Sequence, residues 1–266
     1  MEWWVAYLMM GVVVGFFAGM LGIGGGVLLV PLMVFLFAAQ DFAPDRVLHL
    51  ALGTSLTSIV FTSLASLRAH HRHGAVRWDI VRRAAPGLVI GTLVGTFVAE
   101  ALRSRYLAVI FVAFVYYSAA QVFLDIRPEP SRQLPGPVGM WIAAVLVGVM
   151  SSLVGAGGGV ISIPLMTLCN VPMRNAVGTS AALGLPIAAA GAAGYIFHGL
   201  DLDLLPPWSM GYVYLPALVG IVLGTFVTVP LGARAAHRMP VPLLKKIFAV
   251  VLFLLASRML WSLFAA

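Results

Sequence analysis

Charge is scarce in this 266-residue chain. Asp, Glu, Lys and Arg make up 9% of it against 61% hydrophobic residues, and mean hydropathy is +1.03. Soluble domains carry about 25% charged residues, so a soluble fold is excluded: this much apolar surface has no interior to hide in. Cysteine is nearly absent. The lone Cys169 rules out an intramolecular disulfide, a Cys-rich zinc site and an iron–sulfur cluster, and a packed thiol is its simplest role. Carboxylates are missing from the middle of every apolar run. Glu2, Asp41, Asp45, Asp79, Glu100, Asp125, Glu129, Asp201 and Asp203 all lie at or near segment ends. A cation carried through a membrane needs a counter-charge there, so the substrate is expected to be an anion or a neutral solute. The ten-residue alternation of an outer-membrane barrel is also lacking. Met1-Glu2-Trp3-Trp4 has no basic region of the kind that opens a signal peptide and is read as the start of the first span.

What is present is ten apolar segments in two sets of five. The first set is A 3–21, B 26–39, C 49–68, D 80–101 and E 106–124. The second is A′ 138–155, B′ 159–170, C′ 176–197, D′ 211–232 and E′ 243–264. A crossing helix needs about 20 residues, so B and B′ are short and are expected to form hairpins with A and A′. The expected fold is an all-α integral membrane protein built as repeats 1–124 and 138–266. A polar, Pro-rich linker, 125–137, joins them on the cytoplasmic side.

The halves repeat one another in order. Gly22, Gly24, Gly25, Gly26 and Pro31 recur as Gly155, Gly157, Gly158, Gly159 and Pro164. Gly53-Thr54-Ser55 recurs as Gly178-Thr179-Ser180, His73-Gly74 as His198-Gly199, and Gly95-Thr96-Phe97-Val98 as Gly224-Thr225-Phe226-Val227. Loop charge orients them. The C–D loop region holds Arg68, Arg72, Arg77, Arg82 and Arg83, whereas C′–D′ holds Asp201 and Asp203 and no basic residue. By the positive-inside rule the two loops face opposite sides, which makes the repeat inverted and puts both termini outside the cytoplasm. The net charge of +7 is thus spent on orientation in the inner membrane, and no nucleic-acid partner is expected. Gly11, Gly15 and Gly19 on A, and Gly87, Gly91 and Gly95 on D, have the four-residue spacing that lets helix backbones approach closely.

Paired helix breaks in matching places of two halves point to a transporter's binding site. Glycine is a poor helix former, and a helix that starts after a glycine turn presents unpaired N–H groups and the positive end of its dipole. Candidate substrate-binding residues are therefore Gly22, Gly24, Gly25, Gly26, Gly155, Gly157, Gly158 and Gly159. Thr54, Ser55, Thr179 and Ser180 are added as hydroxyl donors, though capping or back-bonding would also explain them. Arg174 is either a collector of anions at a vestibule or a positive-inside anchor. Arg258, at the repeat position of Gln121, is expected to snorkel outward. His70, His71, His73 and His198 fit a solvated loop and helix ends better than proton coupling or zinc. No cofactor or metal is expected, and no enzyme constellation is visible.

The duplicated Gly-x-Gly-Gly-Gly followed by Pro-Leu-Met, the duplicated Gly-Thr-Ser, and the run from His71 to Val76 resemble the sulfite exporter TauE/SafE family of membrane permeases, from about residue 6 to 262. The resemblance implies a polytopic permease for sulfite, sulfoacetate or a related sulfur oxyanion, with about eight spans rather than ten. Together these readings predict a secondary transporter of a small sulfur-containing anion, working by alternating access. An anion channel or a permease for another small anion is the alternative. Export is favoured, since an anion leaving a negative interior gains about 2.3 kcal/mol per charge per 100 mV.

Overall fold

The computed structural model describes residues 2–21, 25–124, 133–202, 205–235 and 241–265. Among them are ten α-helices and one two-stranded hairpin. The helices of the first half are α1 (Glu2–Leu21), α2 (Gly26–Ala38), α3 (Val47–Arg72), α4 (Trp78–Ala101) and α5 (Ser104–Phe123). Those of the second are α6 (Pro137–Val154), α7 (Gly159–Leu168), α8 (Met173–Gly199), α9 (Leu215–Ala235) and α10 (Val241–Ala265). They match the ten predicted segments one for one. The largest departure is at D′. Residues 211–214 belong to the hairpin of β1 (Ser209–Met210) and β2 (Val213–Tyr214), paired antiparallel as Ser209 with Tyr214 and Met210 with Val213. Gly211 turns this hairpin in the left-handed region, at φ +54°.

Among the described residues, six helices are long and apolar enough to cross a bilayer: α3, α4, α5, α6, α8 and the Leu215–Gly232 stretch of α9. The chain is a multi-pass membrane protein. α2 and α7 have 13 and 10 residues. At 1.5 Å per residue they extend about 20 and 15 Å, short of a hydrocarbon core of about 30 Å. α2 packs mainly on α3 and α7 on α8, while the glycine turns that open them sit on the helices before. Gly25 lies against Val14 and Ala18 of α1, and Gly158 against Val147 and Ser151 of α6.

The halves interlock rather than stand side by side. α1 packs along α9, α4 along α6, α3 along α8 and α5 along α10, so each of these contacts joins one half to the other. The small-residue stripes make the first two. Gly11, Gly15 and Gly19 meet Ile221, Thr225 and Val229, and Gly87, Gly91 and Gly95 meet Ala144, Val145 and Val149. Residue numbers rise together on both sides, so these pairs run parallel. A methyl group at Gly11 would stand 2.5 Å from the Ile221 carbonyl oxygen, closer than packing allows. α3 and α8 run antiparallel: Gly53 faces Tyr195, Leu56 faces Gly191, and Ser63 faces Gly184. Tyr116 of α5 and Ser257 of α10 share a hydrogen bond of 2.8 Å. Leu223, Phe226 and Val227 of α9 and Phe97 of α4 point outward, as a lipid-facing surface requires.

Candidate functional site

Two glycine turns meet in the interior. The α2 helix starts at Gly26 after Gly25, which adopts φ +71°, and α7 starts at Gly159 after Gly158, at φ +77°. A side chain at either φ is strained, so glycine is required for the chain to reverse there. Gly155 closes α6 in the same left-handed region, where Ala156 N–H reaches back to the Ser151 carbonyl. Gly26 lies against the Gly155 carbonyl and the Ala156 Cα, and Ile59 of α3 touches both Gly26 and Gly157. Residues 25–26 and 155–160 are buried. Gly22 and Gly24 lie outside the described residues.

Each short helix begins without a side-chain cap. In α7 the N–H groups of Ile161 and Ser162 bond to the Gly158 carbonyl, at 3.1 and 2.8 Å. Among the described residues, those of Gly159 and Val160 have no acceptor, as expected for the first two helical positions. In α2 the same holds for Gly26 and Val27.

The hydroxyls are divided. Thr54 accepts a hydrogen bond from Tyr214 N–H at 3.0 Å, and Thr179 accepts one from Arg77 N–H at 3.0 Å. The two threonines are repeat equivalents. Each receives the chain entering the fourth helix of the opposite half, and as acceptors both keep a hydroxyl hydrogen to donate. Ser55 donates to the Gly155 carbonyl at 2.9 Å, so its hydrogen is committed to the turn itself. Ser180 pairs with Ser162, on the first turns of α7, at 2.9 Å. Arg174 binds the His73 carbonyl at 2.6 Å and is exposed, which fits the anchor reading. Arg258 lies over the Phe35 ring, 4.6 Å from its centroid.

Several residues here escaped the sequence reading. Ser151 is 1% exposed, its hydroxyl has no partner, and it lies 3.5 Å from where a Cβ on Gly158 would stand. Ser151 and Ser162 occupy positions that are Ala18 and Leu29 in the first half. The second turn is therefore the polar one, and that difference between the two motif copies was the available signal. Away from the turns, Trp3, Trp4, Tyr7, Gln40, Trp208 and Tyr214 line an open cleft of about 460 Å³. Its floor reaches Tyr214, whose N–H is held by Thr54. Burial raises the Tyr214 phenol above its ordinary pKa.

Comparison with known proteins places this architecture. The profile of the family described as sulfite exporter TauE/SafE matches residues 7–259. The chain belongs to the TauE/SafE family. A probable membrane transporter protein of Haemophilus influenzae is 36% identical over 254 residues, covering 95% of this chain and 96% of its own. Probable membrane transporter proteins of Bacillus subtilis (26% identical; 87% and 89% covered) and Methanocaldococcus jannaschii (27%; 84% and 80%) are also similar. No solved structure matches. As a TauE/SafE member the protein is a membrane transport protein and not an enzyme, embedded in the bilayer and acting on a small solute.

Proposed function

We propose that the protein is a secondary transporter of a small sulfur-containing oxyanion, such as sulfite or an organosulfonate, held at the glycine turns and moved by alternating access. The observation that carries this reading is the second turn. There the unpaired N–H groups of Gly159 and Val160 open a buried helix beside a buried Ser151 hydroxyl that has no partner. N–H groups and a helix dipole suit an anion. The Ser162–Ser180 pair on α7 adds hydroxyls, Thr54 and Thr179 are retained as further donors, and Gly26 brings the first turn up against the second.

An inverted repeat supplies the exchange between two states. Segments C and C′ share the Gly-Thr-Ser motif, yet α3 and α8 run antiparallel, as two copies of opposite orientation require. The parallel pairing of A with D′ and of D with A′ agrees, since A and D run oppositely within one half. Ile59 packs against both Gly26 and Gly157, which suits an occluded carrier better than an open channel. The family description favours a sulfur oxyanion, the loop arginines favour a cytoplasmic C–D loop in an inner-membrane protein with both termini outside, and membrane potential favours export.

Reconstitution into liposomes with sulfite, sulfate, thiosulfate, taurine and sulfoacetate tests the proposal. Saturable counterflow of a sulfur oxyanion is expected, lost in folded Gly25→Leu and Gly158→Leu. Undiminished transport by both folded variants would overturn the site, and conductance far above carrier turnover would overturn the carrier.

A further inference from the structure

We propose that His49, together with Glu100, forms a proton-binding site whose occupancy is linked to that of the anion site; only the linkage rests on the transport reading above. His49 lies one turn before Gly53 on α3 and is 2% exposed. Its Nε2 is 3.1 Å from the Ala99 carbonyl oxygen. A carbonyl only accepts, so Nε2 carries the hydrogen, and in the neutral ring Nδ1 is a bare acceptor. Nδ1 is buried and has no partner. Glu100 is the residue after Ala99. Its Oε1 accepts from Arg46 Nη1 at 3.1 Å and from the Tyr212 hydroxyl at 3.2 Å, while its Oε2 is buried and unpartnered.

The groups around His49 come from every neighbouring element. Asp45 and Arg46 lie in the α2–α3 connection, paired at 3.5 Å, and Glu100 is on α4. Tyr212 is in the hairpin turn, its ring stacked on the imidazole with centroids 5.2 Å apart, and Tyr195 of α8 meets Tyr212 edge-on. Arg46 and Glu100 cancel in charge. A clamp holding α3, α4 and the hairpin together needs only the Arg46, Tyr212 and Glu100 Oε1 bonds. It gives no role to Nδ1 or Oε2, which a buried structural network would be expected to satisfy. Two buried, vacant proton acceptors in one near-neutral cluster make a site for a proton. A proton from water binds the Nδ1 lone pair, the ring becomes an imidazolium, the Glu100 carboxylate balances it, and release is the reverse step.

The link to the anion runs through α3 and the hairpin. His49 and Gly53 share a helix face. Gly53 backs onto the Tyr212 main chain, and Tyr214 N–H binds Thr54. Added positive charge on His49 favours an incoming anion, and by reciprocity the anion favours the proton.

Calorimetry in buffers of different ionisation enthalpy, at about pH 6 and about pH 8 around the histidine range, tests this. Thiosulfate and sulfoacetate are suitable probes because their own charge is constant there. Wild-type protein is expected to take up a proton on binding, its affinity rising by up to about tenfold per unit fall in pH. H49Q is expected to bind with no uptake and a flat pH response, and E100Q to shift that response. Zero uptake by wild type, or wild-type uptake by both variants, would overturn the proposal. Nitrogen NMR of labelled histidines in micelles needs no anion. A His49 signal that titrates, and that moves to lower pH in E100Q, is expected; one that stays neutral throughout would overturn the site. If neither probe binds, the transport reading falls while this titration still decides the proton site.

Discussion

Neighbouring glycines in one turn do different work. At Gly158 a side chain meets both a positive φ and Ile187, 2.6 Å from an added Cβ. At Gly157 the backbone is ordinary and the nearest atom, of Ile59, stands at 3.1 Å. Gly158→Ala is therefore expected to lower stability by about 1–3 kcal/mol and Gly157→Ala by much less, read as melting temperatures in detergent. Ser151 offers the complementary test. Its hydroxyl bonds to nothing in the protein, so Ser151→Ala should leave melting unchanged or slightly raised. Anion affinity should fall by about tenfold or more, the worth of a hydrogen bond to a charged group. A drop in melting temperature with unchanged affinity would assign Ser151 to packing. The glycines were legible in sequence because they are duplicated. Ser151 was not, because a serine in an apolar helix ordinarily bonds back to its own carbonyls, and only the fold reveals that this one does not.

At the scale of elements, the design is exchange between halves. Thr54 and Thr179 each hold the N–H of a residue at the entrance to the other half's fourth helix. Thr54→Val and Thr179→Val each strand a partly buried N–H and should cost similar amounts, about 1 kcal/mol, measured by unfolding in detergent. Unequal costs would show that the two contacts are not equivalent. All ten segments were readable from apolar runs and glycine breaks, because a helix in lipid must satisfy its own backbone and so announces its length. The hairpin at 209–214 was not readable. Met210, Val213 and Tyr214 read as part of the apolar run of D′, and the contact that holds the hairpin is tertiary, Thr54 taking Tyr214 N–H. His49 was hidden for a similar reason: nothing local separates it from an interfacial histidine, and its partners lie 50 and more residues away.

For the whole molecule, orientation and occupancy carry the account. Gly74 and Asp201 sit in equivalent loops of the two halves. In a Cys169→Ser background, Gly74→Cys and Asp201→Cys should be labelled by an impermeant thiol reagent from opposite faces of the membrane; labelling from one face would contradict the inverted repeat. If the turns hold the anion as proposed, the polar asymmetry between them, Ser151 and Ser162 against Ala18 and Leu29, puts its donors mainly on the second half. The most direct measurement is a high-resolution cryo-EM map of the protein with bound thiosulfate or sulfite. Density within about 3 Å of the Gly159 and Val160 nitrogens and the Ser151 hydroxyl is the predicted result. Density instead in the aromatic cleft beside Trp3, Trp208 and Tyr214, with the turns empty, would contradict it.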